Sequence, residues 1–183
     1  MENKQELKII VEGCVKKKRK YQKKLFELFY GKMMGVCLRY AKNSDEAKDM
    51  VQNGFIKVFA KLEVYNFSGS LEGWIRRIMV NTAIDQIRKN KKDPFSIDDD
   101  ARFKNLEEDV PFDAEENETE TKLKAEQAIK AISELSPAYR TVFNLYVMEG
   151  YTHKEIAEYL NISEGTSKSN LAKAKQKLRI LLG

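Results

Sequence analysis

The side chains of this chain that are grouped to act on a partner are hydroxyls, amides and ammonium groups, not acids, thiols or imidazoles. One histidine, His153, and two cysteines, Cys14 and Cys37, serve 183 residues. Metal binding needs more ligands at closer spacing, so neither a metal nor a cofactor is expected. The two thiols read as reduced cysteines of a cytoplasmic protein. An enzyme such as a helical nuclease would need acids or histidines gathered at one site, and the acids gather only between residues 93 and 121. No catalytic residue is expected.

The polar group that does stand out lies near the C-terminus. Thr152-His153-Lys154-Glu155 has the S/T-x-x-E form of a capping box. Ile156, Ala157 and Leu160 follow as the buried side of a short helix. Asn161-Ile162-Ser163 is a tight turn with one apolar plug. Ser163 then caps a helix from about Glu164 to Leu181, with Leu171, Ala174 and Leu178 facing inward. A small residue at the crossing and a short turn with an apolar anchor make a helix-turn-helix. The head of its second helix can enter a major groove about 12 Å wide. Thr166, Ser167, Lys168, Ser169 and Asn170 sit at that head, with Lys173 one turn on, and suit base edges and phosphates. His153 is expected as an exposed first-turn residue near a phosphate. The plain alternative is an αα-hairpin whose lysines serve solubility.

The elements that must position these groups are helical. Only 3 prolines and 9 glycines interrupt the chain, so long helices are permitted. Leu25, Leu28, Phe29, Met33, Val36, Cys37 and Tyr40 form one apolar stripe. Asn43 or Ser44 caps a second helix, whose inner face is Ala47, Met50, Val51, Phe55, Val58, Phe59 and Leu62. Tyr65–Ser70 is a turn-rich loop. A third helix over Leu71–Asn90 points Trp74, Ile75, Ile78, Met79, Ile84 and Ile87 inward. After residue 121, a helix over Lys122–Leu135 carries Ala125, Ala128, Ile129 and Ile132 on one face. Ser136-Pro137 opens the next helix as cap and first residue, and Glu149-Gly150 closes it.

Charge divides the chain in the same places. Residues 1–92 hold 21 Lys/Arg and 10 Asp/Glu, net +11. Residues 93–121 hold 2 and 12, net −10. Residues 122–183 hold 10 and 6, net +4. Two basic helical domains joined by a flexible acidic linker suit a polyanionic partner. No run of about 18 apolar residues appears, so no membrane insertion is expected. The first residues lack a signal-peptide core, which places the chain in the cytoplasm.

Two stretches carry a family resemblance. Leu135-Ser136-Pro137, Arg140, Phe143, Gly150-Tyr151-Thr152, Glu155-Ile156-Ala157, Leu160 and Ile162–Thr166 with Lys168-Ser169 resemble region 4 of sigma factors. The likeness is to the extracytoplasmic-function subgroup (group 4) of the sigma-70 family. Asp45–Phe55 resembles the region 2 helix that grips RNA polymerase. Phe67–Ile78 with Asn81, Asp85, Arg88 and Lys89 resembles the promoter-melting segment. The resemblance spans about residues 20–180 outside the linker. It implies an all-α, two-domain initiation factor that is not an enzyme and takes no small-molecule substrate. Region 2 would occupy 1–92, the linker 93–121 and region 4 122–183, with core RNA polymerase, promoter DNA and an anti-sigma factor as partners.

By position, Asp49, Gln52, Asn53 and Phe55 would contact polymerase. Asn53 stands where the family usually has glutamate, and Phe55 suits core packing equally. The loop Tyr65–Glu72 would hold a base flipped from the minus-ten element, with Asn66, Ser68 and Ser70 around it. Tyr65 or Phe67 could stack on it, though Phe67 and Trp74 also read as core. Asn81 would reach the same strand. Arg76, Arg77, Arg88 and Lys89 suit phosphates. The helix-turn-helix would read the minus-thirty-five element. Ser167 replaces an aliphatic residue and Asn170 a frequent arginine of the family. Since Asn pairs with adenine and Arg with guanine, an element less dependent on guanine is expected. The linker would thread the polymerase channel for nascent RNA, its acids imitating that polyanion. The rival function is a stand-alone helix-turn-helix regulator, which would need a ligand or receiver domain in residues 1–90.

Overall fold

The computed structural model describes residues 4–90, 94–95 and 118–183, and these contain helices and no strand. Most of the expected linker, 96–117, lies outside the described residues. The chain divides into two compact units after Gln86.

The first unit holds α1 (Lys4–Val15), α2 (Arg19–Leu38), α3 (Ser44–Lys61), a 3-10 turn over Leu62–Val64, and most of α4 (Leu71–Asn90). The expected stripes are its core: Leu25, Phe29, Met33, Val36, Cys37 and Tyr40 on α2, and Ala47, Met50, Val51, Phe55, Val58 and Leu62 on and after α3, are all buried. Asn43 is the residue that caps α3. Its side chain accepts from Glu46 N at 2.9 Å, which pairs one orphan amide of the helix start, and the Glu46 carboxylate reaches back to accept from Lys42 N, just before the cap, at 2.7 Å. The helix α1 was not foreseen. It buries Ile10, Val11 and Cys14 against α2, a helical i, i+1, i+4 set that is short and interleaved with charge. Burial pushes the Cys14 and Cys37 thiols up to about 11 and about 12, which leaves them as inert core thiols.

At Gly54, α3 lies against a side chain of α4. A Cβ there would overlap the thioether of buried Met79.

The second unit is built from α5 (Glu118–Glu134), α6 (Pro137–Phe143), a π-helical turn over Asn144–Met148, α7 (His153–Leu160) and α8 (Glu164–Leu182). The helix α5 starts four residues earlier than expected. Its buried side is Ala131 and Ile132, continued by Leu135 just past its end, whereas Ala125 is exposed. These pack with Ala138, Tyr139, Ala174 and Leu178 into one core. Ser136 caps α6, its hydroxyl accepting from Tyr139 N, with Pro137 at the first position. Arg140 is buried and its guanidinium donates to the carbonyls of Ser133 at 2.7 Å and Leu135 at 2.8 Å. A buried cation thus closes the C-terminal end of α5, where orphan carbonyls concentrate negative charge.

Gly54→Val must displace the buried Met79 thioether and is expected to destabilise the protein by about 1–3 kcal/mol. Urea denaturation checks this; a variant as stable as the parent would show that Met79 repacks freely.

Candidate nucleic-acid interface

The helix-turn-helix forms as its sequence dictates. Glu155 N donates to the Thr152 hydroxyl at 3.3 Å, and Thr152 N donates to the Glu155 carboxylate at 2.8 Å, which completes the capping box. The Thr152 amide and the Thr152 hydroxyl, which donates at 2.7 Å, together hold the Glu155 carboxyl below its ordinary value. Asn161 takes the left-handed conformation at φ 57° and closes α7, and Ile162 N returns to Ala157 O at 3.0 Å. Ser163 caps α8 by accepting from Thr166 N at 2.9 Å.

Helical phase then sorts the expected contact residues of α8. Ser167 and Asn170 are 0% exposed and lie on the inward stripe with Leu171, Ala174 and Leu178. Neither residue stands on the reading face where it is expected, because nearness to the helix start says nothing of the 100° turned by each residue. With Asn170 withdrawn, its proposed adenine contact goes too. Its amide oxygen and nitrogen are buried without a partner. Lys168 is exposed, and Thr166, Ser169 and Lys173 are half-exposed. Ala172 is exposed one turn after Lys168. Sequence reasoning missed it because it looked for polar groups, although a methyl can sit against a thymine methyl. Lys173 and Lys177 lie 5.9 and 5.3 Å from the centre of the Tyr139 ring.

His153 is not the free first-turn residue expected. Its ring stacks on Tyr146, with centroids 4.6 Å apart, and its Nδ1 is 2.9 Å from the Ser167 hydroxyl. It therefore pins α7 to α8. Burial, then the charge of Lys168, moves its pKa down, against a smaller upward pull from Glu164; Lys175 adds a further downward push.

In the first unit, the loop between α3 and α4 encloses a cavity of about 320 Å³. Its lining is Leu7, Phe29, Tyr65, Phe67, Gly69, Ser70, Leu71 and Glu72. Tyr65 organises the loop. Its ring is flanked by Phe67 at 5.1 Å and Trp74 at 5.4 Å, and its hydroxyl donates to Gly69 O at 3.0 Å. That bond bends the chain back through left-handed Phe67 (φ 60°) and Gly69 (φ 88°). Of the three polar residues expected around the cavity, Ser70 lines it. Asn66 and Ser68 are exposed and bonded to each other, Ser68 N donating to Asn66 Oδ1 at 3.0 Å. The apolar wall from Leu7 and Phe29 comes from α1 and α2, far away in sequence, and no local signal announces it.

On α4, Arg77, Asn81, Arg88 and Lys89 are exposed and Arg76 is half-buried. Arg77, Asn81 and Arg88 recur at i, i+4 and i+11, so they share a face that begins at half-buried Trp74. On α3, Asp49, Gln52 and Asn53 are exposed together. Phe55 is 2% exposed and packs on Phe26 at 4.7 Å and Phe59 at 6.0 Å. It serves the core and not the expected polymerase contact. The apolar residue on the outer face is Ile56, 61% exposed, four residues after Gln52.

Residues 25–93 match the family described as sigma-70 region 2, and residues 125–178 match sigma-70 region 4. The RNA polymerase sigma factor SigV of Bacillus subtilis (strain 168) is 30% identical over 147 residues, covering 80% of this chain and 82% of its own. This chain belongs to the sigma-70 family, in its extracytoplasmic-function branch. A second relative, the ECF RNA polymerase sigma factor SigW of the same organism, is 28% identical over 181 residues, covering 92% of this chain and 97% of its own. Among solved structures, the sigma factor RpoE in a co-crystal with the anti-sigma factor NepR from Bartonella quintana shares the fold. Its TM-score is 0.51 at 23% identity, over 87% of this chain and 95% of that one.

As a sigma factor the chain binds core RNA polymerase and directs promoter-specific initiation, and the stand-alone regulator is set aside. The region 2 match takes in the aromatic loop and the exposed face of α4; the region 4 match takes in α7, the turn and α8 as far as Leu178.

Two outcomes follow for this sigma factor. Asn170→Leu removes a buried, unpartnered amide and is expected to stabilise the protein by about 1 kcal/mol or more, with promoter preference unchanged; an altered minus-thirty-five preference would return Asn170 to the reading face. For His153 the folded pKa lies below the ordinary 6.5, so the unfolded chain takes up the proton first on acidification. The stability linked to neutral His153 is intact above that value and is lost as pH falls through the folded one. The urea midpoint should drop between about pH 7 and pH 5 and drop less in His153→Gln; equal pH profiles would show that the imidazole pins nothing.

Proposed function

We propose that the two units of this sigma factor divide the promoter between them. Region 2, residues 1–92, docks on core polymerase through Asp49, Gln52, Asn53 and Ile56 on the outer face of α3. It captures one base of the minus-ten strand in the cavity of the Tyr65–Glu72 loop. Ser70 bonds the base edge, Tyr65 and Phe67 supply the aromatic wall, and Asn66 and Ser68 stand at the rim. Arg76, Arg77, Asn81, Arg88 and Lys89 hold the neighbouring backbone. Region 4, residues 122–183, reads the minus-thirty-five element through Thr166, Lys168, Ser169, Ala172 and Lys173. The acidic linker, 93–121, joins them.

The observation that carries this reading is the cavity. At about 320 Å³ it lies at the small end of ordinary ligand pockets, ~300–1,000 Å³. It is walled by aromatic rings and opens in the same unit that presents Arg77 and Asn81 on α4. Flipping a base costs a few kcal/mol of stacking, and burial against aromatic rings returns about 1–3 kcal/mol per base. Binding to one polymerase raises the effective concentration of each domain at its half of the promoter. No nucleophile, metal or nucleotide enters this mechanism, and the sigma factor does no catalysis of its own.

The protein acts in the cytoplasm; no described helix is long and apolar enough to cross a membrane. An anti-sigma factor is the proposed inhibitor, on the analogy of RpoE with NepR.

Run-off transcription with bacterial core polymerase, on DNA from upstream of this protein's own gene, should give a discrete start site only when the sigma factor is present. Leu7→Trp, which fills the cavity, should then cut permanganate-reactive thymines at that promoter by about tenfold or more, the equivalent of the stacking lost, with core binding unchanged. Full melting by the variant would rule out the cavity as the base site.

A further inference from the structure

Five consecutive cations, Lys16-Lys17-Lys18-Arg19-Lys20, form the elbow between α1 and α2. All five are exposed, and among the described residues none of them makes an ion pair. Their backbone is fixed. Lys17 turns through the left-handed region at φ 55°. Lys17 N donates to Cys14 O at 2.8 Å, and Lys18 N to Gly13 O at 3.1 Å. The ring of Tyr21 fills the space where Gly13 would carry a Cβ. The charges are presented by a rigid turn, not by a floating tail.

Local stability does not account for them. Like charges in adjacent positions repel. Arg19 and Lys20 open α2, whose first turn holds no acid, and cations at a helix N-terminus oppose its dipole. Lys18 stands at the N-cap and its side chain caps nothing. Local rules broken in series without a structural return point to a partner.

Beside the elbow lies an open groove of about 510 Å³, lined by Arg19, Lys20, Gln22, Lys23, Phe26 and Phe59. Its floor is two half-exposed phenylalanines and its rim is cationic. Cations along a backbone track, with aromatic faces for bases, are the common chemistry of single-stranded nucleic acid binding. Phe26 lies one helical turn before Phe29, which walls the base cavity, and Arg19 lies ten residues before it, roughly 15 Å along α2 at 1.5 Å per residue.

We propose that the Lys16–Lys20 elbow and the Phe26–Phe59 groove bind the separated promoter strand adjoining the base held in the loop. The phosphates lie on the elbow and one base stacks in the groove. The inference rests on the capture of a base in the loop cavity. It adds a second anchor for the same strand, so the opened promoter is held at two points of region 2.

The test uses holoenzyme assembled from core polymerase and the full sigma factor, with its run-off promoter as the probe. The probe is offered as intact duplex and as a template with the melted region already single-stranded. The variant Lys16→Gln/Lys18→Gln/Lys20→Gln is compared with the same three positions changed to Arg. On the pre-opened template, the slope of log affinity against log salt should become shallower by about 2, as expected for three lost single-strand phosphate contacts, and the Arg variant should keep the parent slope. Sigma affinity for core polymerase should be unchanged. An unchanged slope overturns the proposal. Weakened core binding also overturns it, since the elbow would then dock on polymerase. An equal effect on duplex far from the melted region overturns it in favour of duplex contacts. Leu7→Trp in parallel separates the two readings. If it loses strand capture while the elbow variant keeps the parent slope, only the second anchor fails. If Leu7→Trp melts normally, the base cavity itself is wrong.

Discussion

A helix has one set of side chains to share between its own core and any partner, and 3.6 residues per turn decides the division. In units as small as these, each helix must surrender a full stripe to burial before the fold is stable, and what remains is the functional surface. On α8 the stripe Ser167, Asn170, Leu171, Ala174 and Leu178 is spent on packing, which leaves Lys168 and Ala172 outermost. On α3 the core takes Phe55, leaving Ile56 beside Asp49, Gln52 and Asn53. The polymerase and DNA surfaces are the complement of the core, and a shift of one residue in phase would exchange them.

The same economy shapes the loop between α3 and α4. A flexible loop would pay ordering entropy each time it closed on a base. Here Tyr65 removes most of that cost beforehand. Its ring fixes Phe67 and Trp74 on either side, and its hydroxyl ties down Gly69. Burial pushes the Tyr65 hydroxyl pKa upward, so it stays a donor throughout the physiological range. The cavity also needs α1 and α2, since Leu7 and Phe29 complete its wall.

Electrostatics acts at a longer range. The net charge of +5 conceals basic ends and an acidic middle, so residues 1–92 and 122–183 each meet DNA as cations while the acids of 93–121 offset most of their charge. Within the first unit, paired lysines such as Lys57 with Asp85 contribute little more than solubility. The elbow at Lys16–Lys20 is different in kind: its charges are crowded, fixed and set against the dipole of α2. Around His153, the only imidazole, burial and the charge of Lys168 outweigh the opposing pull of Glu164 and favour the neutral ring.

The sequence by itself determined the elements and their order. Caps such as Asn43, Ser136, Thr152 and Ser163 act within one turn, and apolar stripes recur within one helix, so local chemistry makes both legible. It also carried the helix-turn-helix, the charge division and the two family regions, because each is written in consecutive residues. The helix α1 escaped because its buried set, Ile10, Val11 and Cys14, is too short for its period to stand out among charges. Tertiary structure alone decided the rest. Which of the polar residues Thr166–Asn170 face outward depends on the packing of α8 against α6 and α7. That Phe55 belongs to the core and Ile56 to the surface depends on where α2 lies. That Leu7 walls the loop cavity, and that Phe26 and Phe59 line one groove with Arg19 and Lys20, depends on bringing residues many turns apart to one place. Local interactions choose the conformation of a segment; only the joint burial of several segments chooses which of its faces is left to act.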